Sequence, residues 1–138
     1  MSGSGDDGKA SIYERMGGAP ALKDLLRHFY ADVRQDRVLA PIFEARIHDW
    51  PKHLETIQSF WARQTGGPSN YAGGFATAHL PLDLQEEHFQ RWLGLWERQC
   101  RQQFDPEVAD LLIQRALEIG RHLRRIIAGE RGMQISNS

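Results

Sequence analysis

Apolar residues recur along this chain at helical spacing, and no stretch shows the alternation of a strand or a hairpin dipeptide. Leu22, Leu26, Phe29, Tyr30 and Val33 fall at offsets of four, seven, eight and eleven, which predicts a helix over about residues 20–35 with Pro20 in its first turn. Tyr30 lies on that stripe, so its hydroxyl must find a partner inside. Ser11 to Met16 makes a short helical turn ahead of it, stopped by Gly17-Gly18. Between residues 36 and 50 Pro41 breaks the pattern, leaving one turn over Pro41 to Ala45 with Phe43 inward. Pro51 opens the next helix, where His53, Ile57, Phe60, Trp61 and Gln64 share a face, and Gly66-Gly67-Pro68 ends it.

The loop from Gly66 to Gly74 holds four glycines, Pro68 and Tyr71, a composition that suits a connection folded around something. Asp83 with Glu86 resembles a capping box for a helix that turns Phe89, Trp92, Leu93, Trp96 and Cys100 inward. Asp105-Pro106-Glu107 starts a last helix. Its stripe is Val108, Leu111, Leu112, Ala116, Ile119, Leu123, Ile126 and Ile127, its basic end carries Arg121, Arg124 and Arg125, and Gly129 closes it. The pattern predicts an all-α fold.

At 138 residues the chain is one domain able to bury roughly two thirds of its unfolded surface. Residues 1–10, dominated by Ser, Gly and Asp, are expected to be a disordered tail, 11–129 the domain, and 130–138 a second disordered tail. The net charge of -1 gives no reason to invoke nucleic acid or an anionic membrane. No apolar run approaches the roughly 20 residues of a membrane span, and no basic-then-apolar signal opens the chain, so a cytoplasmic location is expected. The one cysteine, Cys100, excludes an internal disulfide or a multi-thiolate metal site and reads as a small core residue.

His79 stands between the glycine-rich loop and the Leu80-Pro81 break, where a loop can aim an imidazole into an interior. A buried neutral ring needs a partner for each nitrogen, and a metal on one with a backbone carbonyl on the other supplies both. Taken singly, His79 reads as a capped loop histidine rather than a ligand. With inward Tyr30, His53 and Trp92, it describes an apolar cavity with a metal ligand on one wall and hydrogen-bond donors on the other, as proteins hold haem. No His-Glu-x-x-His and no paired Glu-x-x-His motif offers ordinary zinc or di-iron ligands. Trp96 reads as core, and His28, His48, His88 and His122 as structural or exposed.

Several segments in register also carry a family resemblance. Ile12 to Gly18, Phe29-Tyr30, Pro41-Ile42-Phe43, Trp50 with His53-Leu54, Phe60-Trp61, Gly66-Gly67-Pro68 with Tyr71, His79-Leu80, and His88-Phe89 with Trp92-Leu93 resemble the truncated haemoglobins, most of all their third group. The likeness covers about residues 11–128. It implies a compact two-over-two helical globin sandwich holding haem b.

Carried over residue by residue, the resemblance implies His79 as proximal iron ligand and Tyr30, His53 and Trp92 as a polar distal wall. Phe43, Ile57, Phe60 and Trp61 would contact the haem, Phe89 and Ile119 would line its proximal side, and Tyr71 would reach a propionate. Thr56 stands where such proteins often carry a basic propionate partner, with Lys52, Arg46 and Arg63 as substitutes. The implied function is binding of O2, NO and CO, with NO-detoxifying or peroxidase-like activity on peroxide or sulfide and a separate reductase. The expected state is a monomer or weak homodimer. The alternative is a cofactor-free or haem-sensing helical interaction domain with a globin shape.

Overall fold

The computed structural model describes residues 10–79 and 82–136, without the side chains of 76, 77 and 130–136. Expectations for Met1 to Lys9 and for the Leu80-Pro81 break lie outside the described residues. Seven helices are described: α1 (Ile12–Met16), α2 (Gly18–Gln35), α3 (Ala40–Glu44), α4 (Trp50–Thr65), α5 (Phe75–His79), α6 (Glu86–Gln103) and α7 (Pro106–Ser136). No strand occurs among the described residues, and none of the helices is long and apolar enough to cross a membrane.

Local chemistry sets most boundaries. Ser11 and Glu14 exchange reciprocal bonds of 3.1 Å that cap α1, and Gly17, at φ 113°, ends it in a left-handed conformation. Gly66, at φ 91°, ends α4 in the same way. Asp36 closes α2: its carboxylate accepts from Val38 and Leu39 N–H at 2.9 and 3.0 Å, and its two oxygens take Nε and Nη2 of Arg91 at 3.0 and 2.8 Å. The Arg91 guanidinium, ahead of the local N–H donors, pulls the Asp36 carboxyl down to about 2. The α2–α3 corner is thereby tied to α6.

Two boundaries differ from expectation. The helix opened by Asp105, whose carboxylate accepts from Val108 N–H at 2.9 Å, does not close at Gly129 but runs through it to Ser136. A glycine inside a helix costs only about 1 kcal/mol relative to alanine, and it stops one mainly by turning left-handed. Asp83 does not cap α6 either. It sits at φ 50°, outside the extended range of an N-cap, and the helix begins two residues later with Gln85 extended and its N–H donated to Nδ1 of His88 at 2.8 Å.

The helices α2 and α4 pack on one another, as do α6 and α7, with α2 laid against α6. Leu22, Leu25, Leu26, Phe29 and Val33 of α2 meet Trp61 of α4, Trp96 and Cys100 of α6, and Leu112 and Ala116 of α7. Trp61 and Trp96 stack at 4.3 Å, Phe29 stands edge-on to Trp96 at 5.1 Å, and the Trp96 indole donates to the Leu112 carbonyl at 3.0 Å. Burial pushes the Cys100 thiol up to about 12, so it behaves as a small apolar residue. Trp96 satisfies its one polar atom inside the core and leaves the nearby cavity to other groups.

Candidate functional site

Where the aromatic core opens toward α3 and α5, the helices enclose a cavity of about 380 Å³. Tyr30, Phe43, His53, Ile57, Phe60, Trp61, His79, Phe89, Trp92 and Ile119 all line it, bringing together residues from α2, α3, α4, α5, α6 and α7. A volume of this order is that of a small-molecule site, and its walls are mostly apolar.

His79 closes a short helix and does not sit in a loop as expected. That helix places its Nδ1 2.6 Å from the Phe75 carbonyl, one turn back. Because a carbonyl only accepts, Nδ1 carries the proton, and Nε2 is left with its lone pair. The Phe75 ring packs against His79 at 4.5 Å and stacks on Phe60 at 4.6 Å and 10°, holding the imidazole against the α4 wall. Desolvation lowers the His79 pKa, partly opposed by its bond to Phe75, which favours the neutral imidazole.

The opposite wall is polar at its tips. Tyr30 is 5% exposed and lines the cavity with Trp92, whose indole N–H is a donor beside its hydroxyl. Burial drives the Tyr30 phenol far above its ordinary value, only partly countered by Trp92, so it stays a protonated donor. His53 meets Tyr30 edge-on at 6.2 Å and Trp50 at 5.6 Å. Its pKa is lowered first by desolvation and then by the charge of His79, and its Nε2 is buried with no hydrogen-bond partner among the described residues. Phe43 stacks with Trp50 at 6.3 Å and closes the wall beside Tyr30.

Tyr71 is placed elsewhere. Its loop is held to the outer face of α4: Ser69 donates to the Ser59 carbonyl at 2.6 Å and accepts from Tyr71 N–H at 3.1 Å, while Ser59 donates to Asn70 at 2.8 Å. The Tyr71 ring lies edge-on to Phe60 at 5.3 Å and borders a neighbouring cleft with Arg63, Arg115 and His122. Arg63, one of three basic candidates for an anionic partner, lines that cleft too, and Lys52 lines neither space; Arg46 alone of the three reaches the cavity. Thr56 donates to the Lys52 carbonyl at 3.3 Å on an exposed face.

Phe75 and His88 are among the cavity residues that the sequence reading did not assign to the site. Phe75 stands four residues before His79, a helical spacing that could have signalled the short helix. His88 was read as structural or exposed, yet it is half-buried and lines the cavity. The signal for it was the lone histidine one position from Phe89 at the head of an inward stripe.

Comparison with known proteins agrees with this geometry. Residues 11–118 match the family described as bacterial-like globin. The chain is 31% identical over 112 residues to group 3 truncated haemoglobin ctb of Campylobacter jejuni, covering 78% of this chain and 88% of that protein. The crystal structure of the group III truncated haemoglobin from Campylobacter jejuni superposes with a TM-score of 0.76 over 80% of this chain and 91% of that one. The truncated haemoglobin from Tetrahymena pyriformis in its Fe(III) form superposes with a TM-score of 0.70 at 26% identity, covering 86% and 97%. An all-helical fold of this pairing, matched in sequence over most of its length, places the chain in the truncated haemoglobins of the bacterial-like globin family.

Proposed function

We propose that this globin holds haem b on Nε2 of His79 and binds small diatomic ligands on the opposite side, against Tyr30, His53 and Trp92. The observation that carries the reading is the 2.6 Å contact of His79 Nδ1 with the Phe75 carbonyl, which fixes the tautomer and leaves the Nε2 lone pair free to take a metal. The donor set fits the group. A neutral imidazole faces a mostly apolar cavity, and across it lies a buried histidine nitrogen without a partner. A cofactor-free core would gain by replacing these polar tips with aliphatics, because an unsatisfied buried polar group costs about 1–3 kcal/mol. That argues against the interaction-domain alternative.

When bound, haem supplies an iron centre able to take a diatomic ligand. The chain's own residues then select among ligands by charge. The Trp92 indole can only donate, so toward Trp92 the Tyr30 oxygen can only accept, which leaves the Tyr30 O–H proton free to point into the cavity. A donor aimed there stabilises a ligand with a partly anionic outer atom, such as O2, more than nearly nonpolar CO. A hydrogen bond to a charge-bearing acceptor is worth about 1.5–3 kcal/mol, roughly ten- to a hundredfold in dissociation. His53 adds a second polar tip, and Phe43, Ile57, Phe60 and Trp61 keep water out.

The same wall would polarise NO-derived or peroxide ligands, which supports the finer reading of NO detoxification or peroxidase-like turnover with a separate electron donor. The test of the central assignment is haem titration followed by absorption spectroscopy, in the parent and in His79→Gly. Stoichiometric uptake with a sharp Soret band in the parent, altered in His79→Gly and restored by added imidazole, is the expected outcome. An unchanged spectrum in His79→Gly would remove His79 as the ligand.

A further inference from the structure

Among the polar side chains lining the cavity, Tyr30 and Trp92 stand side by side and His79 is committed at Nδ1 to Phe75. His88 has no such role in ligand chemistry, yet its ring is fixed more firmly than that of His53. The backbone N–H of Gln85 donates to His88 Nδ1 at 2.8 Å. A backbone N–H cannot accept, so Nδ1 is the acceptor and the proton of the neutral ring lies on Nε2. The bond that starts α6 therefore turns His88 into an N–H donor at the cavity, at a helix N-terminus where the peptide dipoles favour an anion. The acidic residues of that first turn each face an arginine. Glu86 takes Arg124 at 3.1 Å and Gln90 at 2.7 Å, and Glu87 lies in the field of Arg91.

We infer that His88 Nε2–H is an anchor for one of the two carboxylates of the haem, with Arg46 the cation available to the other. This rests on the haem reading above. It assigns the carboxylate partners from the residues that reach the cavity, since Tyr71 and Arg63 border the neighbouring cleft and Lys52 borders neither. It also ties cofactor retention to the start of α6, because one imidazole serves both the helix and the cofactor.

The test compares haem with its dimethyl ester, which keeps the ring but carries no carboxylate charge. Its readout is the rate of transfer to an excess of apomyoglobin, followed by absorbance. The variants are His88→Glu, which keeps an acceptor for the Gln85 N–H while removing the donor, and His88→Leu, which removes both. Haem should leave both variants at least about tenfold faster than the parent, as expected for loss of a charge-assisted hydrogen bond. The dimethyl ester should leave the parent and His88→Glu at rates within about twofold. Equal acceleration of haem and ester in His88→Glu, or no acceleration of either, overturns the inference while leaving the haem reading standing. A parent that takes up neither haem nor ester overturns both.

Discussion

The indole of Trp92, on α6, and the hydroxyl of Tyr30, on α2, share the cavity wall, so one helix of each packed pair contributes to a single polar unit there. The donor-only character of indole gives this pairing a direction, and the direction decides where the Tyr30 proton can go.

Trp92→Phe keeps the aromatic packing on Phe29 and Trp96 but removes the donor to Tyr30. The hydroxyl is then free to rotate and spends less time aimed at a ligand. Stopped-flow O2 dissociation from the ferrous haem-reconstituted protein should quicken by about three- to tenfold. In the Tyr30→Phe background the same substitution should add no more than about twofold, because the two residues act as a unit.

Asp36 gives a pH dependence outside the cavity. Its carboxyl lies at about 2 in the folded chain, held there chiefly by Arg91, against 3.8 for an ordinary aspartate. Its side chain is 9% exposed, and that of Arg91 is 35% exposed. The depressed folded value means that the contribution is complete above about pH 4 and is lost as pH falls from there toward 2. Asp36→Asn, which can still accept from Val38 and Leu39, should lower stability in urea unfolding at pH 7 by about 1–2 kcal/mol, after allowing for solvent around Arg91. Near pH 2 the gap between variant and parent should shrink markedly. A constant gap across that range would show that the ion pair contributes nothing.

Much of the fold could be read in advance where a physical signal ran for several turns. The stripe through Leu22, Phe29 and Val33 and the one through Trp92, Trp96 and Cys100 are long enough for the helical period to stand out. The helix carrying His79 is five residues long, shorter than any periodic pattern can reveal, so the residue was recognisable while its setting was not. Asp83 has the chemistry of a cap without the backbone angle, for at φ 50° it is left-handed, a conformation that Asp tolerates better than most residues. Tyr71 shows the limit for loops. Four glycines announced a folded connection, but its face was decided by Ser59, Ser69 and Asn70 bonding along the outside of α4.

Gly67 reports on how tightly α1 is seated on the end of α4. Its N–H donates to the Ala62 carbonyl at 2.8 Å, and a Cβ built there would lie 2.5 Å from the Tyr13 ring. Gly67→Ala must displace Tyr13 and should cost about 1–3 kcal/mol in thermal or urea unfolding. Gly73, at φ 98° with open space around it, is strained by a side chain only through its backbone, and Gly73→Ala should cost about 1 kcal/mol. Equal losses in the two variants would mean that Tyr13 does not grip that joint.

The most direct measurement is the rate of O2 dissociation from ferrous haem-reconstituted Tyr30→Phe beside the parent, with CO dissociation as the control. Tyr30 is protonated, buried and beside the donor Trp92, so its loss should speed O2 release by at least about tenfold while CO release changes by no more than about twofold. An unchanged O2 rate, or equal changes for both gases, would contradict the assignment of Tyr30 as the donor to the ligand.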